Sequence, residues 1–530
     1  MKRFFTLILL SCMILGLVFA AGTSQPGKGS SGGPVEFTAS FTAVAYHGDP
    51  NKMPILQAIE KDANVKVNWM VIPNTSWEER KNILINSGDM PDVFYAKTFS
   101  AAEIDRYGRQ GLFLDLTEPI KRYSPNLQRI LGSDPIFKAA ITNPSDGKIY
   151  QAGSSNNRNL DFVGTIFIYQ PWLDKLGLKF PTTYLEFEDM LRAFKTRDPN
   201  GNGIADEFPF VFANGWSHNS SVVQFFAMFG YGYQGTRGVY DCYVQTKDGK
   251  AVFVPGTTNF RDCIIWLHKL FAEGLFAEED YVARDRNLFS AKMYAEPCVA
   301  GSFMAFHKNS SYTLAERYDD YTRVDIPLKG PNGNQVYVST SKVSIGAGGA
   351  IITKKGESKI ADIMRWLDVH YDPIRSMEVC LGPMNMTIEK KPSGIIGYIP
   401  TPANTTYNDW RYSLCPAVDV PLYIPQDAWG KTVEVMEEDA DRLPWARGAL
   451  APYLTQWFIY SYPLAEETAF IGGKGKEIND YVKSNQTRWI LEGGIEKEWD
   501  SFQETLKKMG VDEYTRIMQN QIDRFNKYSK

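Results

Sequence analysis

Between Val35 and Tyr95 the sequence changes periodicity four times, and this alternation constrains the fold more than any other feature. Val35, Phe37, Ala39 and Phe41 recur at every second position, the spacing of a half-buried strand. Lys52 to Asp62 carries apolar residues at helical spacing, and Val65 to Trp69 alternates again. Ser76, with Glu79 three residues on, resembles a capping box that opens a helix through Ile83 and Ile85, which Gly88 and Pro91 close. Asp92-Val93-Phe94-Tyr95 then reads as a buried strand. A β-α-β-α-β succession this tight predicts an open α/β sheet, with ligands beyond the carboxyl ends of its strands. Tyr95 and Lys97 fall at such an end.

The same style returns later. Gly164 to Tyr169 reads as a strand, Gln170 to Leu176 as a helix closed by Gly177, and Pro181-Thr182-Thr183 as the cap of a helix reaching Lys195. Ile264 to Phe271 reads as a buried helix, Ile345 to Thr353 as a Gly-rich strand before a helix, and the tail from Lys497 to Lys530 as amphipathic helix. At 530 residues and 44% hydrophobic, the chain has material for more than one core and is not disordered. A formal net charge of −4 argues against nucleic acid as a partner, because phosphate binding needs clustered Lys and Arg.

The first twenty residues read as an export signal. Met1-Lys2-Arg3 is basic, Phe4 to Phe19 is nearly all apolar, and Val18-Phe19-Ala20 offers small side chains where a signal peptidase reads. Residues 21–34 are rich in Gly and Ser and read as a flexible leader. The only cysteine near the start, Cys12, lies inside the apolar run, so no lipid-acceptor cysteine follows it. The expectation is a soluble periplasmic or extracellular protein. The remaining cysteines (Cys242, Cys263, Cys298, Cys380 and Cys415) form no C-x-x-C pair, and buried free thiols are expected ahead of one disulfide.

The most specific chemical signal is Asp198-Pro-Asn-Gly-Asn-Gly-Ile-Ala-Asp-Glu207. Calcium takes 6–8 oxygens at about 2.3–2.6 Å, and the first half of this segment has the spacing of an EF-hand loop. Asp198, Asn200, Asn202, the Ile204 carbonyl, Asp206 and Glu207 form the candidate ligand set, with Gly203 at the sharp turn. The EF-hand's twelfth-position glutamate is missing, so Glu207 is expected to close the shell around a structural ion. A solvated Asn/Gly turn is the alternative. Enzyme signatures are absent: the five histidines form no H-E-x-x-H, and no G-x-S-x-G nucleophile elbow appears, the bare pattern occurring only at Gly29 to Gly33 in the Gly/Ser leader.

Several segments together resemble the extracellular solute-binding proteins of bacterial ABC importers. They are Asn86 to Val93, Gln170 to Leu178 with Pro181 to Thr183, and the Asp198–Glu207 loop, which is similar to the calcium loop of the long, alginate-oligosaccharide-binding members. Phe113 to Thr117, Asp325 to Pro331 and Lys508 to Gly510 fit the same subgroup. The resemblance implies a two-lobed α/β clamp with discontinuous lobes and a hinge, a solute held in the cleft, delivery to a membrane permease, a monomer, and no catalysis. The expected division is residues 35–160 and 331–400 for one lobe, and 161–330 with 401–530 and the C-terminal helices for the other.

Aromatics make up 13% of the chain, which suits sugar rings, whose C–H faces lie on flat side chains while their hydroxyls need polar partners. Tyr95, Asn156, Arg158, Tyr169, Trp216, His218, His307, Trp410, Trp445 and Arg447 are the candidate cleft residues. Trp266, Trp366 and Trp499 lie within helical patterns and are expected in the core. The reading is therefore a carbohydrate receptor, with an oligosaccharide as solute. A receptor for peptide or another polar solute is the alternative within binding proteins, and a secreted carbohydrate-active enzyme the alternative outside them.

Overall fold

Parallel pairing of the first three predicted strands starts the larger of the two main sheets. The computed structural model describes residues 33–96, 99–156, 161–162, 165–212, 222–232, 234–237, 240–283, 286–305, 315–337, 339–341, 345–417, 419–435, 440, 442–454 and 464–528. Residues 1–34 form a unit of their own, almost all of it outside the described residues, and Val35–Lys530 form the second unit. In the latter, Val35–Ala43 lies between Val65–Pro73 and Val93–Tyr95, parallel to both. The antiparallel strand Ile345–Ile352 joins Val93–Tyr95 to Ala152–Ser155, and Leu422–Tyr423 completes six strands.

Alternation divides this sheet's side chains between its faces. Phe37, Ala39, Phe41 and Tyr95 enter one core with Trp366 and Leu367, and Phe94 enters another with Trp77 and Phe99. The smaller sheet orders Tyr321–Arg323, Thr165–Tyr169, Ser302–Ala305 and Val211–Phe212, and its core takes helices Tyr184–Thr196, Thr258–Ala272 and Lys476–Glu492. The chain passes from one sheet to the other between 155 and 165, returns between 323 and 345, and leaves again after 423. Asp161–Phe162 and Ser339–Ser341, from the first two passages, pair antiparallel.

The third passage comes later than the expected boundary at residue 400. Tyr412, Cys415, Leu422, Trp429 and Val433 all pack in the larger sheet's core. Helix Tyr407–Leu414 and the strand at 422 complete that lobe, so the second lobe resumes beyond them.

Local predictions mostly hold at the element level. Helix Gln170–Leu176 ends at Gly177 in the left-handed conformation, and Thr183 with Glu186 forms a full capping box for Tyr184–Thr196. Trp366 and Trp266 are buried and Trp499 packs partly buried against the second core. Ser76 differs: it begins helix Trp77–Ser87 without capping it, because its hydroxyl donates to the Pro73 carbonyl at 3.1 Å. Among the described residues no helix is long and apolar enough to cross a membrane. Cys263, Cys298 and Cys415 are buried free thiols, and Cys380 is buried.

Candidate functional site

The passages fix where a cleft lies. Val35–Ala43, Val93–Tyr95 and Ala152–Ser155 all end at the edge from which the chain leaves the larger sheet. In the smaller sheet Thr165–Tyr169 starts at the passage and runs away from it, whereas Ser302–Ala305 is antiparallel to it and Val211–Phe212 is parallel to Ser302–Ala305. The ends of those last two strands therefore point back toward the passage. Trp216, His218 and His307 follow them in sequence; these three and Arg158 lie outside the described residues.

This geometry revises several candidates. Tyr95 stands at the correct edge but faces inward: it is fully buried, and its hydroxyl lies 3.0 Å from Nε2 of His370. Burial lowers the His370 pKa to about 4, so the imidazole is neutral and serves the core. Tyr169 stands at the far end of its strand, partly exposed, beside Trp172 and Tyr321 and 3.5 Å from Asp320 Oδ2. A strand that runs away from the passage carries its last residue away from it as well, which sequence position alone does not reveal.

Three other candidates meet at the passages as structural ties. Trp445 is buried, donates its Nε1–H to the Asp325 carbonyl at 2.7 Å, and has the Arg323 guanidinium over its ring at 4.4 Å. It packs with Tyr337, Ala446 and Leu450. Asn156 accepts from Trp429 Nε1 through its backbone carbonyl at 2.7 Å. Arg447 donates to the carbonyls of Trp429 at 3.0 Å and Gln426 at 2.7 Å. Trp410 is partly exposed on helix Tyr407–Leu414, which the Gly48 amide joins to the loop after the first strand by donating to the Tyr412 carbonyl.

That loop carries residues the sequence reading passed over. Tyr46 is 51% exposed and meets the Tyr412 ring edge-on at 4.8 Å. The buried hydroxyls of Thr42 and Ser155, at or near the ends of their strands, have no hydrogen-bond partner among the described residues. An unpaired buried hydroxyl costs about 1–3 kcal/mol. The positional argument that selected Tyr95 applies equally to Thr42 and Tyr46, since both close the first alternating strand.

The acidic loop lies between helix Tyr184–Thr196 and the start of Val211–Phe212, at the end of the lobe away from the passages. Asp198 has φ +43, with Gly201 and Gly203 at +78 and +75, so the chain coils tightly. The Asp198 carboxylate accepts from the amides of Gly201 and Gly203 at 2.8 and 3.1 Å. Asn200 and Asn202 each donate a side-chain N–H to the Asp206 carboxylate, at 2.8 and 2.9 Å, and their oxygens accept from the next amide but one.

Glu207 meets this set through the Asn200 backbone. Its Oε1 is buried without a partner, and burial, with the charges of Asp206 and Asp198, pushes its pKa up. That oxygen lies within reach of the charges of Asp206 and Asp198. Among the described residues no three His, Cys, Asp or Glu form a ligand cluster, so any ion here also draws on amide and carbonyl oxygens.

Two α/β lobes joined by repeated passages, with a cleft at the strand ends, define a two-lobed solute-binding clamp. Residues 47–260 match the bacterial extracellular solute-binding proteins. It is 28% identical, over 90% of its length and 88% of the relative's, to the fructooligosaccharide ABC transporter substrate-binding protein FusA of Streptococcus pneumoniae. FusA structures with kestose, and of an EF-hand mutant with fructo-nystose, superpose with a TM-score of 0.74 at 26% identity, covering 93% of this chain and 99% of FusA. The polygalacturonan/rhamnogalacturonan-binding protein YtcQ of Bacillus subtilis is 30% identical over 39% of this chain and 41% of its own. The alginate-binding protein AlgQ2, at 20% identity and a TM-score of 0.66, covers 93% of this chain and 98% of its own and shares the fold.

Proposed function

We propose that this protein is the solute-capturing component of a bacterial ABC importer and that it takes an oligosaccharide, fructooligosaccharides foremost, into the cleft between its lobes. The similarity to FusA over nine-tenths of the chain carries this reading. The solute stabilises the closed clamp by the contacts it makes only there, and the closed form is what a permease receives. No bond in the solute is made or broken. The exposed Tyr46 and the unpaired hydroxyls of Thr42 and Ser155 supply a ring face and hydrogen-bonding groups at the cleft edge. Trp216, His218, His307 and Arg158 remain candidates there. The basic, apolar and small-residue start over residues 1–20 supports export.

Calcium is the second part of the proposal. Asp198, Asn200, Asn202, the Ile204 carbonyl, Asp206 and Glu207 would hold it, and it would neutralise three neighbouring carboxylates without touching the solute. The unpaired Glu207 oxygen and the EF-hand mutant made of FusA support this assignment.

The test is a thermal-shift screen of the exported chain against fructo-, galacturono- and alginate oligosaccharides, with and without EDTA. Near 100 times Kd, a solute that binds the folded state alone adds about 2.7 kcal/mol. A saturable upshift with kestose, whose length is unchanged afterwards, is the expected result. A shortened sugar would make the protein an enzyme, and no shift with any sugar would overturn the carbohydrate assignment.

A further inference from the structure

The turn after the first strand is closed twice by one histidine. In Val44-Ala45-Tyr46-His47 the His47 amide donates to the Val44 carbonyl at 3.0 Å, the bond of a four-residue turn. The Val44 amide donates in return to Nδ1 of the His47 ring at 3.1 Å. Tyr46, the exposed ring at the cleft edge, is the third residue of that turn. Its direction is therefore set by the residue that follows it.

Helix Tyr407–Leu414 holds the same turn from outside. The Gly48 amide donates to the Tyr412 carbonyl at 3.2 Å, and a Cβ on Gly48 would stand 2.4 Å from the Ser413 carbonyl oxygen, so this approach requires glycine. The Tyr412 ring lies 4.9 Å from the His47 ring, and Phe41 of the first strand meets His47 edge-on at 5.2 Å. The titratable groups around the imidazole are Tyr46 and Asp49 on its own segment, with Tyr412, Arg411 and Cys415 from the helix and its end. Phenols, thiols and guanidinium groups keep their protons between pH 5 and 7. Hydrogen bonds from Asn51 hold the Asp49 pKa down, so that carboxylate stays ionised there.

A ring that accepts at Nδ1 carries its proton on Nε2. Burial lowers the His47 pKa from its ordinary value, against a smaller upward pull from the Pro416 carbonyl, so the ring is neutral at pH 7. A second proton would sit on Nδ1 and face the Val44 N–H, donor against donor. The turn would then keep its backbone bond and lose its side-chain bond.

We infer that His47 is a positioning residue for the solute: its neutral imidazole fixes the turn that presents Tyr46, and acidification loosens that turn and weakens capture. The inference rests on Tyr46 being a solute platform. A ring whose pKa is lowered in the closed turn favours that turn fully above about pH 6.5 and loses it as the pH falls.

Calorimetric titration with kestose at pH 7 and pH 5 tests this in three chains. Wild-type affinity should fall about fivefold between the two, corresponding to about 1 kcal/mol. His47→Asn offers an acceptor oxygen that takes up no proton in this range, and should bind like the wild type at pH 7 and equally well at pH 5. His47→Ala, with no acceptor, should bind more weakly than the wild type at pH 7 and show no further loss at pH 5. A wild-type affinity indifferent to pH, or a pH dependence that survives in His47→Asn, overturns the inference. A second measurement needs no solute: at pH 5 the Val44 amide should exchange its hydrogen faster in the wild type than in His47→Asn. Equal exchange overturns the inference. If the wild type binds no kestose the carbohydrate reading falls, and the exchange rates still decide whether His47 closes the turn.

Discussion

The two ends of the second lobe are built in opposite ways. At the far end, every group of the acidic loop comes from ten consecutive residues, and Asp198 and Asp206 organise it through hydrogen bonds of 2.8–3.1 Å. At the near end, Asn156, Asp325, Tyr337, Trp429, Trp445 and Arg447 come from separate passages of the chain and meet through backbone carbonyls and one small apolar cluster. A local site is spelled out by spacing. A site made where passages meet is not, because an aromatic or cationic residue there looks the same whether it faces a solute or holds two segments together.

The largest effect should follow from breaking the near end. Trp445→Ala removes a buried indole and its bond to Asp325, and should cost about 3–5 kcal/mol in chemical denaturation. A loss under 1 kcal/mol would place Trp445 as a solute platform after all. Removing the ion from the far end comes next. EDTA should lower the Tm of the calcium-loaded protein, and Asp198→Ala should abolish the calcium response while leaving sugar affinity unchanged. Saturating the ion at about 100 times Kd corresponds to about 2.7 kcal/mol. A Tm indifferent to calcium in the wild type would leave the loop as a solvated turn.

A smaller effect tests the inward face of the cleft edge. His370 is held near pKa 4 when folded, against about 6.5 unfolded, so below pH 6.5 the unfolded chain binds the extra proton. Its contribution is complete above pH 6.5 and fades as pH falls toward 4, by about 2 kcal/mol between pH 7 and 5. His370→Gln should flatten that part of the stability–pH curve; an unchanged curve would mean that other groups set it. The smallest effect belongs to Tyr169→Phe, which removes only a hydroxyl 3.5 Å from Asp320. Sugar affinity should stay within about twofold, or about 0.4 kcal/mol, and a larger loss would bring Tyr169 back into the binding site.

The same contrast explains what was legible in the sequence. Strands Val35–Ala43 and Val65–Pro73, helix Gln170–Leu176 with its Gly177 stop, and the capped helix at Tyr184 are set by nearby residues, and periodicity found them. The acidic loop was legible for the same reason. The side chain of Tyr95 turns on one choice of face: Phe94 and Tyr95 enter opposite cores, and both are fully buried. Tyr169 falls at the end of its strand away from the passages because strand direction depends on pairing with Ser302–Ala305, more than 130 residues away. The return of Tyr407–Val433 to the first core likewise depends on the strand at Leu422 finding Ala152–Ser155.

The central claim is that this clamp captures an oligosaccharide and closes around it. Titrating the exported chain with kestose by calorimetry, with solution scattering on the same samples, tests it most directly. The account predicts saturable one-to-one binding, a smaller radius of gyration in the bound state, and intact kestose recovered at the end. Absence of binding, or binding that leaves the radius of gyration unchanged, would contradict it.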